Sequence, residues 1–261
     1  MIPDDFQSAP GSTTSLLRTI VGTSLRRIGG WIAVAHLVEL AGTVGLPEPR
    51  TRTALARIKA KGLLSAQVRD GMPGYAITPG AVPMLERGDR RIFHPRTMAP
   101  GDRWCLVSYS VPESDRDLRH QLRRRLTWIG CGVVSPSLWI CPEYLTGDVE
   151  EILADLGLAA TIFLADSVRG GARVAQWWDL GAIRARHSAF LAGDFGEPGI
   201  DPYRVWIRAL DSWRIIPYLD PGLPASLLPP DWPGHRSAER FRSLRDQVLP
   251  RAHAYVDGVV S

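Results

Sequence analysis

Residues 47–64 read PEPRTRTALARIKAKGLL. Five basic residues lie between Arg50 and Lys61 with no acid among them, and Lys59 and Lys61 are the only lysines in the chain. Pro47 and Pro49 suit the first turn of a helix, where a missing N–H costs little, and Gly62 ends it. At about 100° per residue, Thr51, Ala54, Leu55 and Ile58 fall on one side. Arg52, Thr53, Ala56 and Lys59 fall opposite, with Arg57 at the edge. Such a helix packs by its apolar face and offers guanidinium groups and a hydroxyl on the other. Arginine can bind guanine O6 and N7 together, and threonine can meet a base edge or a thymine methyl. On charge alone a solvated basic helix explains the tract as well, so its neighbours must decide.

Upstream, TTSLLRTIVGTSLRRI (13–28) places Leu16, Leu17, Ile20, Val21, Leu25 and Ile28 near one helical face, ended by Gly29-Gly30. A second apolar run, WIAVAHLVELAG (31–42), stops at Gly42 and Gly45. Downstream, LLSAQV, the turn RDGMPG and YAIT read as two short strands around a glycine-containing turn. Three helices and a hairpin in this order are those of a winged helix-turn-helix, whose third helix enters the DNA major groove. On that reading Arg52, Thr53 and Arg57 face bases, while Arg50, Lys59, Lys61 and Arg69 face phosphates.

Charge is distributed in keeping with this. The 261 residues carry a formal +4, but residues 1–99 hold 13 basic against 7 acidic residues, and the remainder 18 against 20. A basic N-terminal third on a near-neutral body suggests one module that meets a polyanion and others that do not. The start, MIPDDFQSAPGSTTS, carries two acids and no apolar core, unlike a signal peptide. No run reaches about 18 apolar residues, so no membrane span is expected, and the chain reads as soluble and cytoplasmic. Cys105, Cys131 and Cys141 lack paired spacing and argue against a disulfide framework.

The middle has another rhythm. RWCLVSYSV (103–111) reads as a strand and SDRDLRHQLRRRLTWI (114–129) as a helix with Ser114 as N-cap and Leu118, Leu122, Leu126 and Ile129 inward. GVVSPSLWIC (132–141) reads as two strands around Ser135-Pro136, TGDVEEILADLGL (146–158) as a helix capped by Thr146, and ATIFLADSV (160–168) as a last strand. This βαββαβ order is ferredoxin-like. The remainder is mainly helical, interrupted by LDPGLPASLLPPDWPG (219–234), whose leucines and Trp232 suggest a strap packed onto the fold. The expected class is α+β. Its expected parts are a disordered tail at 1–12, a winged helix at 13–98, a ferredoxin-like domain at 100–172 and a helical domain at 174–261, with RGGAR (169–173) as a boundary.

Catalytic signatures are missing. Neither lysine follows a glycine, so there is no Walker A motif, and GCG at 130–132 lacks the third glycine of a dinucleotide fingerprint. The six histidines show no HxxxH spacing and there is no CxxC, so neither a metal site nor a cofactor is expected.

In order along the chain, RTALARIKAKGLL (52–64), RWCLVSYSVPESDRDLRHQLRRRLTWIGCGVVSPSLWICP (103–142), QWWDL (176–180) and DPGLPASLLPPDWPG (220–234) resemble the family of the phenylacetic acid degradation repressor, the PaaX family. The resemblance covers roughly residues 14–245. It implies a homodimeric regulator of aromatic-acid catabolism that binds a palindromic operator in double-stranded DNA. It also implies release by an aryl- or acyl-CoA thioester such as phenylacetyl-CoA. Two departures stand out: Pro47 replaces the usual capping Ser or Thr, and the wing carries only Arg69.

For the effector, Trp177 and Trp178 are candidates at an expected domain boundary, where pockets form. Arg116, Arg119 and Arg123, at i, i+3 and i+7, can meet coenzyme A phosphates, a second stretch of DNA backbone, or only water. An enzymatic alternative is a metal-dependent nuclease, because a small CRISPR-associated nuclease shares the ferredoxin-like fold and holds its metal with an Asp at the end of the first strand. Here YSVPES puts Ser110 there, and a hydroxyl is a poor magnesium ligand without carboxylates beside it.

Overall fold

The computed structural model describes residues 8–169 and 175–261. The first seven residues of the expected tail, and all but the first residue of the RGGAR boundary, lie outside the described residues.

Ser12 opens the first helix, α1 (Thr13–Ile20), its hydroxyl accepting from the Ser15 N–H at 3.3 Å. The helix continues through a π-helical turn, Val21–Leu25. The next apolar run then divides: Trp31–Ala33 is a strand, β1, and only Val34–Thr43 is helical, α2. Apolar content alone did not separate the two, because the pairing partner of β1 lies beyond the next helix. That helix, α3, spans Glu48–Ala60, and strands β2 (Leu64–Arg69) and β3 (Met72–Ile77) follow. Their turn is shorter than the expected RDGMPG: Asp70 and Gly71 alone make it, at φ 49° and 75°. Two successive positive φ values match the twist of a tight hairpin. Helix α4 (Val82–Phe93) was not foreseen; its few apolar positions sit among charges.

Next come β4 (Trp104–Tyr109), α5 (Arg116–Trp128), β5 (Gly132–Ser135), β6 (Leu138–Pro142), α6 (Thr146–Leu156) and β7 (Ala160–Ala165). The caps expected at Ser114 and Thr146 do not form. Short 3₁₀ turns, Glu113–Asp115 and Glu143–Leu145, lead into both helices and move the cap positions to Asp115 and Leu145, neither with a side-chain cap bond. The Thr146 hydroxyl instead donates back to the Glu143 carbonyl at 2.7 Å. The chain ends with α7 (Leu180–Ala192), α8 (Pro202–Trp213), α9 (Ile216–Leu219) and α10 (Gly234–Val260). This is an α+β protein with two antiparallel sheets, and no described helix is long and apolar enough to cross a membrane.

Contact density divides the chain into two units, neither continuous in sequence. One contains residues 8–89, 189–214 and 235–261; the other contains 90–188 and 215–234. In the first, β1, β3 and β2 form an antiparallel sheet in that order. Leu17, Ile20, Leu37, Leu40, Leu55 and Ile58 from α1, α2 and α3 are fully buried. An aromatic core from α8 and α10 belongs to the same unit, with Trp213 stacked on Phe241 at 4.9 Å.

The second unit is built on the sheet β5-β6-β4-β7, antiparallel throughout. One face, with Cys105, Val107, Tyr109, Trp139 and Cys141, is covered by α5 and α6 through Leu122, Leu126, Val149 and Ile152. The other, with Trp104 and Ile140, is covered by Met98, Trp178 and the strap leucines Leu223, Leu227 and Leu228. Arg184 fastens the strap through a two-pronged pair with Asp231 at 2.6 and 2.8 Å, which holds that carboxyl down at about 2. The three cysteines are free and buried, Cys105 directly across from Cys141. The hydrogen bond with Cys141, then burial, push the Cys105 thiol up; at Cys141 the bond with Cys105 acts downward, and the bond with Cys131 and burial outweigh it and push that thiol up.

Candidate nucleic-acid interface

Helix α3 divides as its sequence period requires. Thr51, Ala54, Leu55 and Ile58 are buried, and the helix packs by that face on α1 and α2. Arg50, Arg52, Thr53, Arg57, Lys59 and Lys61 are exposed. The entry rests on Pro47, which makes no side-chain cap bond; its carbonyl instead accepts from the Thr51 hydroxyl at 3.1 Å.

The exposed cations are not equivalent. Arg50, Arg57 and Lys59 make no ion pair or side-chain hydrogen bond among the described residues. Arg52 does: its guanidinium lies 2.7 and 2.8 Å from one oxygen of Glu48, a turn earlier. Glu48 lies just outside the basic tract, and its i, i+4 spacing was the signal for this pair. Both partners are more than half exposed, so the pair is worth about 0–1 kcal/mol and can be exchanged for another acceptor. The Thr53 hydroxyl donates to the Pro49 carbonyl at 3.0 Å, leaving its oxygen and methyl outward.

The β2–β3 hairpin holds its one cation in place. Trp31 pairs with Ala76 and its indole lies across Gly74 of β3, where any Cβ would approach the ring to 2.5 Å. Its N–H donates to the Gln67 carbonyl at 3.3 Å. The Arg69 guanidinium sits 5.4 Å from the indole centre and bonds the Gln67 side chain at 3.0 Å. Beside it the hairpin exposes Val68 and Met72.

In the second unit, Arg119 and Arg123 line an open cleft of about 740 Å³ at the end of β4, with Ser108, Tyr109, Ser110, Val111, Ser137 and Thr161 on its walls. Arg116 is not on that wall. Trp178 is 7% exposed, donates to the Gly130 carbonyl at 2.9 Å and packs beside Trp104 and Trp177. Its ring occupies the space a side chain at Gly132 would need, 2.6 Å from an added Cβ. Ser110 stands in the cleft without a described carboxylate on the wall, and no described group of three or more His, Cys, Asp or Glu residues could hold a metal.

Three sequence profiles match the chain in succession: "PaaX-like protein" over residues 12–79, "PaaX protein central Cas2-like domain" over 98–176 and "PaaX-like protein C-terminal domain" over 178–258. The chain is similar to the transcriptional repressor PaaX of Escherichia coli K12, at 27% identity, covering 95% of this chain and 84% of that one. Among solved structures it is similar to the uncharacterized protein Rv0674 of Mycobacterium tuberculosis, with a TM-score of 0.60 at 23% identity over 93% of this chain and 98% of the other, a likeness of fold.

Proposed function

The chain belongs to the PaaX family, and from that premise we propose that it is a transcriptional repressor that binds a palindromic operator as a homodimer. The observation that carries this is the exposed face of α3: a row of cations, three of them with no described partner, on a helix anchored by four buried residues. An anchored helix presents its side chains at fixed angles, which base reading needs and a purely electrostatic contact does not. The β2–β3 hairpin after three helices, joined in one sheet with β1, supports a winged helix-turn-helix, with Arg52, Thr53 and Arg57 toward bases. Arg50, Lys59, Lys61 and the Trp31-backed Arg69 face phosphates.

The strand order β5-β6-β4-β7, second–third–first–fourth within its unit, supports the ferredoxin-like reading of the central part. The effector is an aryl- or acyl-CoA thioester, and it releases DNA by binding the DNA-incompetent dimer more tightly. Arg119 and Arg123 are its contacts in this reading; Trp177 and Trp178 are not on the cleft wall, and Trp178 packs beside Trp104 at the other end of β4. Regulation of this kind takes place in the cytoplasm. The nuclease alternative has less support, because arginines and hydroxyls line the end of β4 where carboxylates would be needed.

The test is binding of the purified protein to DNA from upstream of its own gene and to a random duplex, across salt, with and without a panel of acyl-CoA thioesters. The reading expects preferential binding to the upstream DNA and its loss with one thioester. Equal affinity for both duplexes at every salt concentration overturns it. Magnesium-dependent cutting that stops with chelator would transfer support to the nuclease.

A further inference from the structure

Helix α2 ends in a turn that leads straight into α3. The Leu46 N–H donates to the Ala41 carbonyl at 3.0 Å and the Gly45 N–H to the Gly42 carbonyl at 2.9 Å, with Gly45 at φ 88°. This is the pair of bonds that closes a helix through a left-handed glycine. The Val44 carbonyl takes part in neither bond. It accepts instead from the guanidinium of Arg208 on α8, 3.2 Å away and 164 positions along the chain. One residue earlier, the Thr43 hydroxyl donates to the Glu39 carbonyl at 3.2 Å, so its oxygen accepts from the hydroxyl of Tyr255 on α10 at 2.7 Å, across 212 positions.

Both distant partners are themselves held. The Tyr255 ring stacks on that of Tyr203 in α8 at 5.3 Å, and Tyr203, 1% exposed, has its hydroxyl 3.4 Å from that of Ser24. Arg208 stands beside Gly45, its guanidinium 3.4 Å from the place a Cβ would take. All of these residues belong to the unit that contains α1, α2 and α3. The glycine and its two backbone bonds suffice to form the turn. The added bonds, on the consecutive residues Thr43 and Val44, fix where it points. Helix α3 has 13 residues and so a length of about 20 Å, and a rotation of about 10° at its entry moves its far end by about 3 Å, the reach of a hydrogen bond.

We propose that Arg208 and Tyr255 are positioning residues for base reading: they clamp the α2–α3 turn, and with it the angle of α3, without touching DNA. The inference rests on the DNA-binding reading above, while the clamp itself can be measured without DNA. Loosening the clamp lowers the fraction of protein whose α3 is set for base contacts, and apparent operator affinity falls by that fraction. Affinity for a random duplex comes from phosphates and does not depend on that angle.

The experiment compares Arg208→Met and Tyr255→Phe with the wild type and with Arg204→Met, each in the full chain. Arg204 lies one turn before Arg208 and makes no ion pair or side-chain hydrogen bond among the described residues, so its replacement removes a charge from the same helix without touching the turn. Tyr255→Phe keeps the ring on Tyr203 and removes only a hydroxyl from a side chain 37% exposed, so it is expected to melt with the wild type and answers the question where Arg208→Met is destabilised. Two quantities are read: amide hydrogen exchange over residues 43–50 in the absence of DNA, and affinity for the upstream and random duplexes across salt. The expected result is exchange at Gly45 and Leu46 faster by about threefold or more and operator affinity weaker by about three- to tenfold. Random-duplex affinity and its salt slope stay unchanged, and Arg204→Met keeps wild-type exchange and discrimination. Unchanged exchange in both variants overturns the clamp, whatever the DNA result. Faster exchange with unchanged discrimination overturns the positioning role and leaves a stabilising contact only. Equal losses on both duplexes, with the salt slope of Arg208→Met reduced by about 0.9, make Arg208 a phosphate contact and overturn the positioning role as well. A wild type that does not prefer the upstream DNA removes the DNA-binding reading and the positioning role together, and the exchange data then show separately that the clamp exists.

Discussion

Ser15 on α1 and Asp211 on α8, 196 residues apart in sequence, share a 2.6 Å hydrogen bond inside one structural unit. Asp211 is 1% exposed and accepts four bonds: from the Ser15 and Thr19 hydroxyls, the Gly11 N–H and the Arg214 guanidinium. Arg214, also buried, donates in turn to the Ser15 oxygen at 2.8 Å. Asp211→Ala removes the buried carboxylate that accepts from Arg214 and from both hydroxyls, and is expected to cost about 3–5 kcal/mol. Ser15→Ala removes one acceptor and one donor and is expected to cost about 1–3 kcal/mol. Urea unfolding of both variants checks the order; an unchanged midpoint for Asp211→Ala would show that the network contributes nothing.

On the proposed DNA-binding reading, Glu48 competes with DNA for Arg52 and also brings a negative charge toward phosphates. Glu48→Gln is therefore expected to raise operator affinity by about 0.5–1 kcal/mol, a few-fold, at low salt. Arg52→Ala should cost about 1–3 kcal/mol on the specific site and relax preference at one base pair. Fluorescence anisotropy on specific and random duplexes separates the roles: equal weakening on both makes Arg52 a phosphate contact.

Lys59 makes no ion pair or side-chain hydrogen bond among the described residues. Its replacement by Ala should weaken all sequences alike and reduce the slope of log affinity against log salt by about 0.9. A slope equal to that of the wild type removes it from the interface.

Trp31 and Arg69 should act together on DNA and separately on stability. Trp31→Leu is expected to lower both the melting temperature and operator affinity; Arg69→Ala is expected to lower affinity alone. If Trp31 positions Arg69, the two losses of affinity fail to add in the double variant. Full additivity would mean that the indole serves the hairpin only.

Gly132→Ala tests the second unit. A Cβ there meets the Trp178 ring at 2.6 Å, well inside van der Waals contact. Overpacking of this kind costs about 1–3 kcal/mol, read as a lowered unfolding midpoint. A midpoint equal to that of the wild type would show that Trp178 moves without cost.

Much of the geometry of α3 was legible from residues 47–64. The buried set Thr51, Ala54, Leu55 and Ile58 follows from a period of 3.6, as do the outward positions of Arg52, Thr53, Arg57 and Lys59. Glu48 was equally local but fell outside the basic tract that drew attention to itself. The strand at Trp31–Ala33 was not legible, because three residues carry no period and its hydrogen bonds go to β3, on the far side of α3. The caps expected at Ser114 and Thr146 do not form, because a 3₁₀ turn leads into each helix and moves the cap position to Asp115 and Leu145.

The sequence by itself determined which face of each longer helix is apolar and where the basic charge is concentrated, since both depend on neighbours within a turn or two of chain. Only the tertiary structure decided that Ser15 meets Asp211, that Trp31 carries Arg69, and that Arg119 and Arg123 share a cleft that Arg116 does not line. The physical reason is one of range. Local backbone geometry sets the direction of a side chain about its own helix or strand. Its partner across the chain is set by packing between elements, which no local pattern records.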